Sequence, residues 1–269
     1  MPEDLDDRGV TPIDPAPPSQ INDLYILSVG ISDYVDKSIK LNYAHRDAEE
    51  FTKRWQREAK GLYKDVHSRT LINEDAERGA ILDGIDWIVE NAKRQDVVLL
   101  HLSAHGFRDD AKNYYLSTHE VDRKRLRSTA IRWSQIVDAI SDMRADKVVV
   151  FVDTCHSGGI TGAKALEKDP IRDLAGVQVG AIVLSSSSLD RPSYEDKLWG
   201  HGAFTKALLD TMSDHASDIS NPPDGRLSVL ELGISVKNRV RELTNHRQIP
   251  IIQKPFTIPD FDIAKILSP

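Results

Sequence analysis

Short apolar runs alternate with amphipathic segments along most of this chain, and this alternation restricts the fold more than any other feature. Apolar runs of strand length occupy residues 24–32, 96–106, 147–153 and 180–188, with shorter strand-like stretches near 65–73 and 248–256. Apolar residues recur at helical spacing in residues 42–55, 75–92, 133–143, 202–212 and 228–243. Asp75 is the predicted N-cap of the second helix. Strands alternating with helices predict an α/β fold, with a mostly parallel sheet and helices on both faces.

The chain divides into a leader and one domain. Residues 1–20 are acidic and rich in proline, which predicts a disordered leader. No repeat or internal linker interrupts the rest, so residues 21–269 are predicted to form a single domain. The first residues lack the basic and apolar regions of a secretory signal, and the longest apolar runs are too short to span a bilayer. We therefore expect a cytoplasmic protein with no membrane partner.

Charge and cysteine content restrict the partners. The formal net charge of −7 provides no basic excess to displace counterions from phosphate, so we expect no nucleic-acid partner. A mildly acidic protein more readily accepts cationic peptides. The single cysteine excludes an internal disulfide and a multi-cysteine zinc site, and it is typical of a reducing compartment.

Two predicted strands end in matching chemistry. His105 and Gly106 lie at the end of one predicted strand, and Cys155 lies just past the end of another. Ligands of parallel sheets bind at the carboxyl ends of the strands, where such residues meet. A cysteine nucleophile needs a base, which an imidazole supplies, and amide donors for the oxyanion. Taken alone, however, a free cysteine at a strand end is more often a buried core residue.

The two segments resemble the motifs of a known family. "SAHG" around His105 and "DTCHSGG" around Cys155 are similar to the histidine and cysteine motifs of caspase-like cysteine peptidases, closest to metacaspases and their bacterial relatives. The resemblance extends to "LYILSVGISDY", "LNYAHRDAEEF", "GAFTKALL" and "IQKPF", covering about residues 24–258. It implies a caspase-like three-layer sandwich with a mainly parallel sheet of about six strands.

The same resemblance assigns the catalytic roles. It implies that Cys155 is the nucleophile and His105 the general base and acid, with the amides of Gly106 and Cys155 forming the oxyanion hole. The histidine and cysteine are 50 residues apart, about the separation found in caspases. The implied activity is that of a cysteine endopeptidase, which needs no cofactor for its chemistry. A metal site built on His101, His105, Cys155 and His156 is disfavoured, because adjacent residues usually diverge.

The resemblance also identifies a pocket for the residue before the scissile bond, called the specificity pocket below. Metacaspases place carboxylates in this pocket, and Asp47, Ser103 and Asp153 match its positions. Two carboxylates favour a guanidinium, so we expect cleavage after Arg, with Lys a weaker substrate. From the residues alone, Asp47 could be a solvated surface group, Asp153 a turn cap and Ser103 an ordinary strand residue.

Other residues border the predicted site. Ser185 and Ser186, in the serine run that ends the next strand, match a wall of the substrate groove in caspase-like enzymes. Between these strands, Lys164, Lys168 and Arg172 lie in a polar loop and are candidate self-cleavage sites. A zymogen state, an ion or an activating or inhibitory protein partner is expected to restrain the enzyme. Calcium activation is left undecided, because no acidic segment has a recognisable ligand spacing.

Two alternatives remain open. One is a catalytically idle caspase fold that acts as an interaction module, although such relatives usually lose the histidine or the cysteine. The other is an active peptidase that cleaves after Asp, with Arg46 or Lys40 lining an acid-accepting pocket.

Overall fold

A computed structural model of the protein describes residues 22–156, 180–187, 193–213 and 225–265, with residues 155 and 156 described by their backbone alone. The predicted leader and the candidate self-cleavage residues Lys164, Lys168 and Arg172 lie outside the described residues. Within the described ranges, no helix is long and apolar enough to cross a membrane.

The described elements alternate as the sequence indicates. The strands are β1 Leu24–Gly30, β2 Val66–Ile72, β3 Val97–Arg108, β4 Tyr114–Leu116, β5 Ile131–Arg132, β6 Lys147–His156, β7 Ala181–Ser185, β8 Glu195–Asp196, β9 His201–Gly202, β10 Arg226–Ser228, β11 Ile251–Gln253 and β12 Asp262–Lys265. The α-helices are α1 Ala44–Glu58, α2 Arg78–Asn91, α3 Leu126–Thr129, α4 Trp133–Ser141, α5 Ala203–Thr211 and α6 Val229–Leu243. Short 3-10 turns occupy Lys37–Ile39 and Asn73–Asp75.

The central sheet runs in the order β11-β7-β6-β3-β1-β2. Its neighbouring strands pair in parallel, except that β11 is antiparallel to β7. Two short strands, β4 and β5, extend the sheet from the end of β3. The six-stranded path confirms the predicted mainly parallel sheet.

Helices cover both faces of this sheet. On one face, α1, α5 and α6 pack their buried side chains against a strand surface that includes Leu99 and Phe151. On the other face, α2 and α4 pack against a surface that includes Leu100 and Val150. Adjacent residues of one strand thus serve opposite cores, as expected for a strand with covered faces. This arrangement confirms the three-layer sandwich.

Several boundaries differ from those predicted. The strand β3 continues past its predicted end at residue 106, and β6 continues past residue 153, so Cys155 lies inside a strand rather than just beyond one. The continuation of β3 is held by pairing with β4, which the sequence did not predict. The prediction that Asp75 is the N-cap of α2 was wrong. Asp75 belongs to a 3-10 turn, and the N-cap is Glu77.

The close approach of α1 to β1 positions one candidate residue. A β-carbon at Gly30 would lie only 2.2 Å from the carbonyl oxygen of Ala44 and 2.6 Å from the Ala48 side chain. Only glycine at this position allows the first turns of α1 to rest directly on the carboxyl end of β1. Asp47 is thereby brought to the edge of the sheet where parallel strands end.

Candidate active site

The register between β3 and β6 brings the two predicted catalytic residues side by side. His105 is the Cα partner of Cys155, and Ser103 is the partner of Asp153. Neighbouring strands of a sheet lie about 4.8 Å apart. The backbone therefore places His105 beside the only cysteine. Two residues before each of them lie the pocket candidates Ser103 and Asp153, which are also paired.

His105 is held in one orientation by the segment after β1. Its side chain is buried, its Nε2 lies 2.7 Å from the carbonyl oxygen of Ile39, and its backbone N–H donates to Tyr34 Oη at 3.1 Å. Because a carbonyl only accepts, Nε2 must carry a proton. In the neutral ring, Nδ1 then has the lone pair that a general base requires.

The side chain of Tyr114 leaves no room for a β-carbon at position 106, which accounts for the glycine there. A β-carbon at this position would lie 1.8 Å from the hydroxyl of Tyr114, which crosses β3 and donates to Thr154 Oγ1 at 2.8 Å. Any larger residue would displace this tyrosine. The predicted role of the Gly106 amide in an oxyanion hole stays a prediction.

Asp47 and Asp153 converge from α1 and β6. They are 1% and 6% exposed, so neither is a solvated surface carboxylate. A β-carbon at Gly202 would lie 3.1 Å from an Oδ2 of each, which places both carboxyl groups around one glycine. Burial and the neighbouring Asp47 raise the pKa of Asp153 to about 7. The structure therefore brings the two predicted pocket carboxylates together as a buried acidic pair.

The two carboxyl groups have different partners. Asp47 accepts from His201 Nδ1 at 2.7 Å and from the Gly202 N–H at 3.1 Å. Burial raises the pKa of Asp47, while these bonds oppose that rise. Among the described residues, the buried Oδ1 of Asp153 has no hydrogen-bond partner. Within the described residues, the oxygens of Asp47 are therefore more fully hydrogen-bonded than those of Asp153.

A third carboxylate, Glu195, was missed by sequence reasoning. Its charge helps to raise the pKa of both Asp47 and Asp153. It also accepts from the backbone N–H of Asn42 at 3.1 Å and from that of Tyr43 at 3.3 Å, at the start of α1. A lone glutamate in a polar segment gives no sequence signal for either role.

The predicted serines lie at the same end of the sheet. Ser103 is buried beside Asp153 in the register. Ser185 donates from its hydroxyl to the carbonyl of Ser187 at 2.8 Å. The hydroxyl of Ser186 hydrogen-bonds that of Ser193 at 2.7 Å, and bonds from both serines oppose the raised pKa of Asp153. These contacts place Ser186 next to Asp153 and give Ser185 a local bond.

His101 packs in the core of the protein. Its ring stacks on Phe51 with centroids 4.4 Å apart, and its Nδ1 lies 2.8 Å from Ser28 Oγ. Burial lowers its pKa to about 3, which keeps the ring neutral. In the part of the chain that the structure describes, no three His, Cys, Asp or Glu residues are arranged to hold a metal ion.

The cations of the acid-accepting alternative lie elsewhere. Lys40 and Arg46 are exposed, whereas the carboxylates of the pocket are buried. The guanidinium of Arg46 lies near the turn at Gly200. The structure thus brings together Asp47, Ser103, Asp153 and Ser186 with the His105 and Cys155 pair, and it leaves the basic side chains at the surface.

Comparisons with known proteins agree with this geometry. The family model of the caspase domain, a peptidase family, matches residues 25–261. A crystal structure of the protein GSU0716 from Geobacter sulfurreducens has a similar fold, with a TM-score of 0.63 and 17% sequence identity. The match covers 88% of this chain and 95% of that one. No curated protein matches this sequence significantly. With nearly its whole described length matched by that model, the chain belongs to the caspase-domain family of cysteine peptidases.

Proposed function

We propose that the protein is a cysteine endopeptidase of metacaspase type that cleaves peptide bonds after Arg and, more slowly, after Lys. The observation that carries this proposal is the buried pair of Asp47 and Asp153 beside the His105–Cys155 register pair. A buried acidic pocket attracts a cationic side chain and repels an acidic one. Arg is favoured because its planar fork bonds a carboxylate through two N–H groups at once.

The chemistry requires only the residues of the two strands. His105 takes the proton of the Cys155 thiol on Nδ1, and the thiolate attacks the substrate carbonyl carbon. Amides of Cys155 and Gly106 stabilise the resulting oxyanion. Collapse expels the amine, which takes the proton from His105, and leaves a thioester. Water then attacks with His105 again as base, which releases the acid and restores the thiol.

The Ile39 carbonyl supports this cycle. Because it fixes the Nε2 proton of His105, it holds the tautomer in which Nδ1 accepts. It also stabilises the imidazolium that forms when Nδ1 is protonated. A negatively charged third residue is therefore not required. Restraint of this activity by a partner, an ion or self-processing remains part of the proposal.

The test uses internally quenched peptides that differ only in the residue before the cleaved bond. Wild type is expected to cleave the Arg peptide fastest, the Lys peptide more slowly and the Asp peptide least. Cys155→Ala is expected to be inactive, and His105→Gln to lose at least about a hundredfold in kcat. Each assay is run with and without calcium. Faster cleavage after Asp, or unchanged activity of Cys155→Ala, would refute the proposal.

A further inference from the structure

The hairpin formed by β8 and β9 is tied to the start of α1 in both directions. From the hairpin, His201 Nδ1 and the Gly202 N–H donate to the two oxygens of Asp47. In return, the Glu195 carboxylate accepts from the backbone N–H of Asn42 and from its side-chain amide, at 3.1 and 3.0 Å. The helix and the hairpin therefore fix each other next to the specificity pocket.

These ties give Asp47 a different role from Asp153. Each Asp47 oxygen already accepts one bond from the hairpin, so the carboxylate is locked in orientation. Asp153 keeps one buried oxygen without a partner among the described residues. A substrate cation can bond directly to Asp153, while the locked Asp47 adds a second negative charge close by.

The lock matters because Asp47 is buried. Its side chain is 1% exposed and that of His201 12% exposed, so their bond is poorly screened by water. Without a donor from His201, a buried carboxylate next to Asp153 and Glu195 would tend to turn away or to take up a proton. Either change would remove charge from the pocket.

We propose that His201 is a positioning residue for cation recognition: its Nδ1–H locks the Asp47 carboxylate so that Asp47 supplies charge while Asp153 bonds the substrate cation. This inference rests on the proposed cleavage after Arg and Lys. The charged groups that surround the lock are Asp47 and Arg46 of α1, Asp153 of β6 and Glu195 of β8.

Three substitutions of His201 separate this role from a general structural one. His201→Asn keeps an N–H donor near the position of Nδ1, His201→Gln moves the donor outward, and His201→Ala removes it. We expect the Ala and Gln variants to raise the KM for the Arg peptide about tenfold, with kcat within about twofold of wild type. The Asn variant is expected to stay within about threefold of the wild-type KM.

The pH profile adds a readout that folding alone would not move. In the Ala variant, Asp47 lacks a bond that favours its ionised form. Cleavage of the Arg peptide should then reach half its maximum at a higher pH than in wild type, and the Asn variant should restore the profile. His67→Ala is the matched control. This histidine lies near the start of β2, at the opposite end of the sheet, and also contacts one carboxylate, Asp23 at 3.5 Å. It is expected to leave KM and the profile unchanged.

The outcomes are distinguishable. If wild type does not prefer Arg, the proposed function fails. If wild type prefers Arg but the three variants share one KM and one pH profile, the positioning role of His201 is wrong and the proposed function stands. If only the Ala variant unfolds, the KM and pH profile of the Asn variant are compared with those of the Gln variant. A difference between them supports the positioning role, and equal values overturn it. If all three variants unfold, His201 supports the fold rather than the pocket, and the inference is overturned.

Discussion

Replacement of Asp153 by Asn should stabilise the protein in a pH-dependent manner. Burial and the charge of Asp47 raise the pKa of Asp153 from 3.8 to about 7 in the folded protein. The folded chain thus holds this proton more tightly than the unfolded chain. The associated stability is fully present below pH 3.8 and is lost as the pH rises through about 7. An amide has no charge to desolvate, so the variant avoids this loss.

The magnitude follows from the pKa difference. Each pH unit between the two pKa values is worth ~1.4 kcal/mol, so the loss in wild type is about 4 kcal/mol. The free energy of unfolding is measured by urea denaturation at pH 4 and pH 8, in the Cys155→Ala background to prevent self-cleavage. The variant should gain about 4 kcal/mol relative to its parent between these two pH values.

A control with the opposite sign is Asp109→Asn. Burial alone would raise the pKa of Asp109, but hydrogen bonds from Asn113 and Tyr115 outweigh it and lower the pKa. This carboxylate contributes stability at pH 8 that is lost as the pH falls, so its Asn variant should lose stability relative to the parent as the pH rises. A difference between Asp153→Asn and its parent that does not change with pH would refute the burial and coupling argument.

Three further outcomes are expected. Gly106→Ala should cost about 1–3 kcal/mol of stability, because its new β-carbon would lie 1.8 Å from the Tyr114 hydroxyl; an unchanged melting temperature would contradict this. Gly30→Ala should lower the melting temperature, since the added carbon would lie 2.2 Å from a carbonyl oxygen of α1, and a stable variant would show that α1 can move. Agmatine, a small guanidinium ligand, should bind Cys155→Ala up to about tenfold more tightly for each pH unit as the pH rises toward 7, because Asp153 must ionise to pair with it. A Kd from calorimetry that does not change with pH would contradict this.

The sequence was sufficient for the main strands of the sheet, but not for β4 and β5, which extend it. Long apolar runs identified β1, β3, β6 and β7, and the polar residues at their carboxyl ends were expected to meet there. The register that pairs His105 with Cys155 was not predicted and comes from the structure. The burial of Asp47 could be predicted only from the family resemblance, because helical spacing alone does not show that a carboxylate on α1 lies buried over the sheet.

The hairpin that completes the pocket could not be predicted. Each of its strands is only two residues long, which is too short to show an alternating apolar pattern in the sequence. The contact between Asp47 and His201 joins residues 154 positions apart, and local sequence carries no signal for such a bond. Gly106 was expected as an amide donor to the oxyanion hole. Its close neighbour is a tyrosine from β4, a strand that was itself not predicted.

The most direct test of the account is covalent labelling by a peptide chloromethyl ketone with Arg next to the reactive group, analysed by mass spectrometry of the intact and digested protein. We expect one adduct per chain, located on Cys155, forming much faster than with the matching Asp reagent and slowed by Asp153→Asn. Labelling at another residue, or faster labelling by the Asp reagent, would contradict a thiol nucleophile beside a buried acidic pocket.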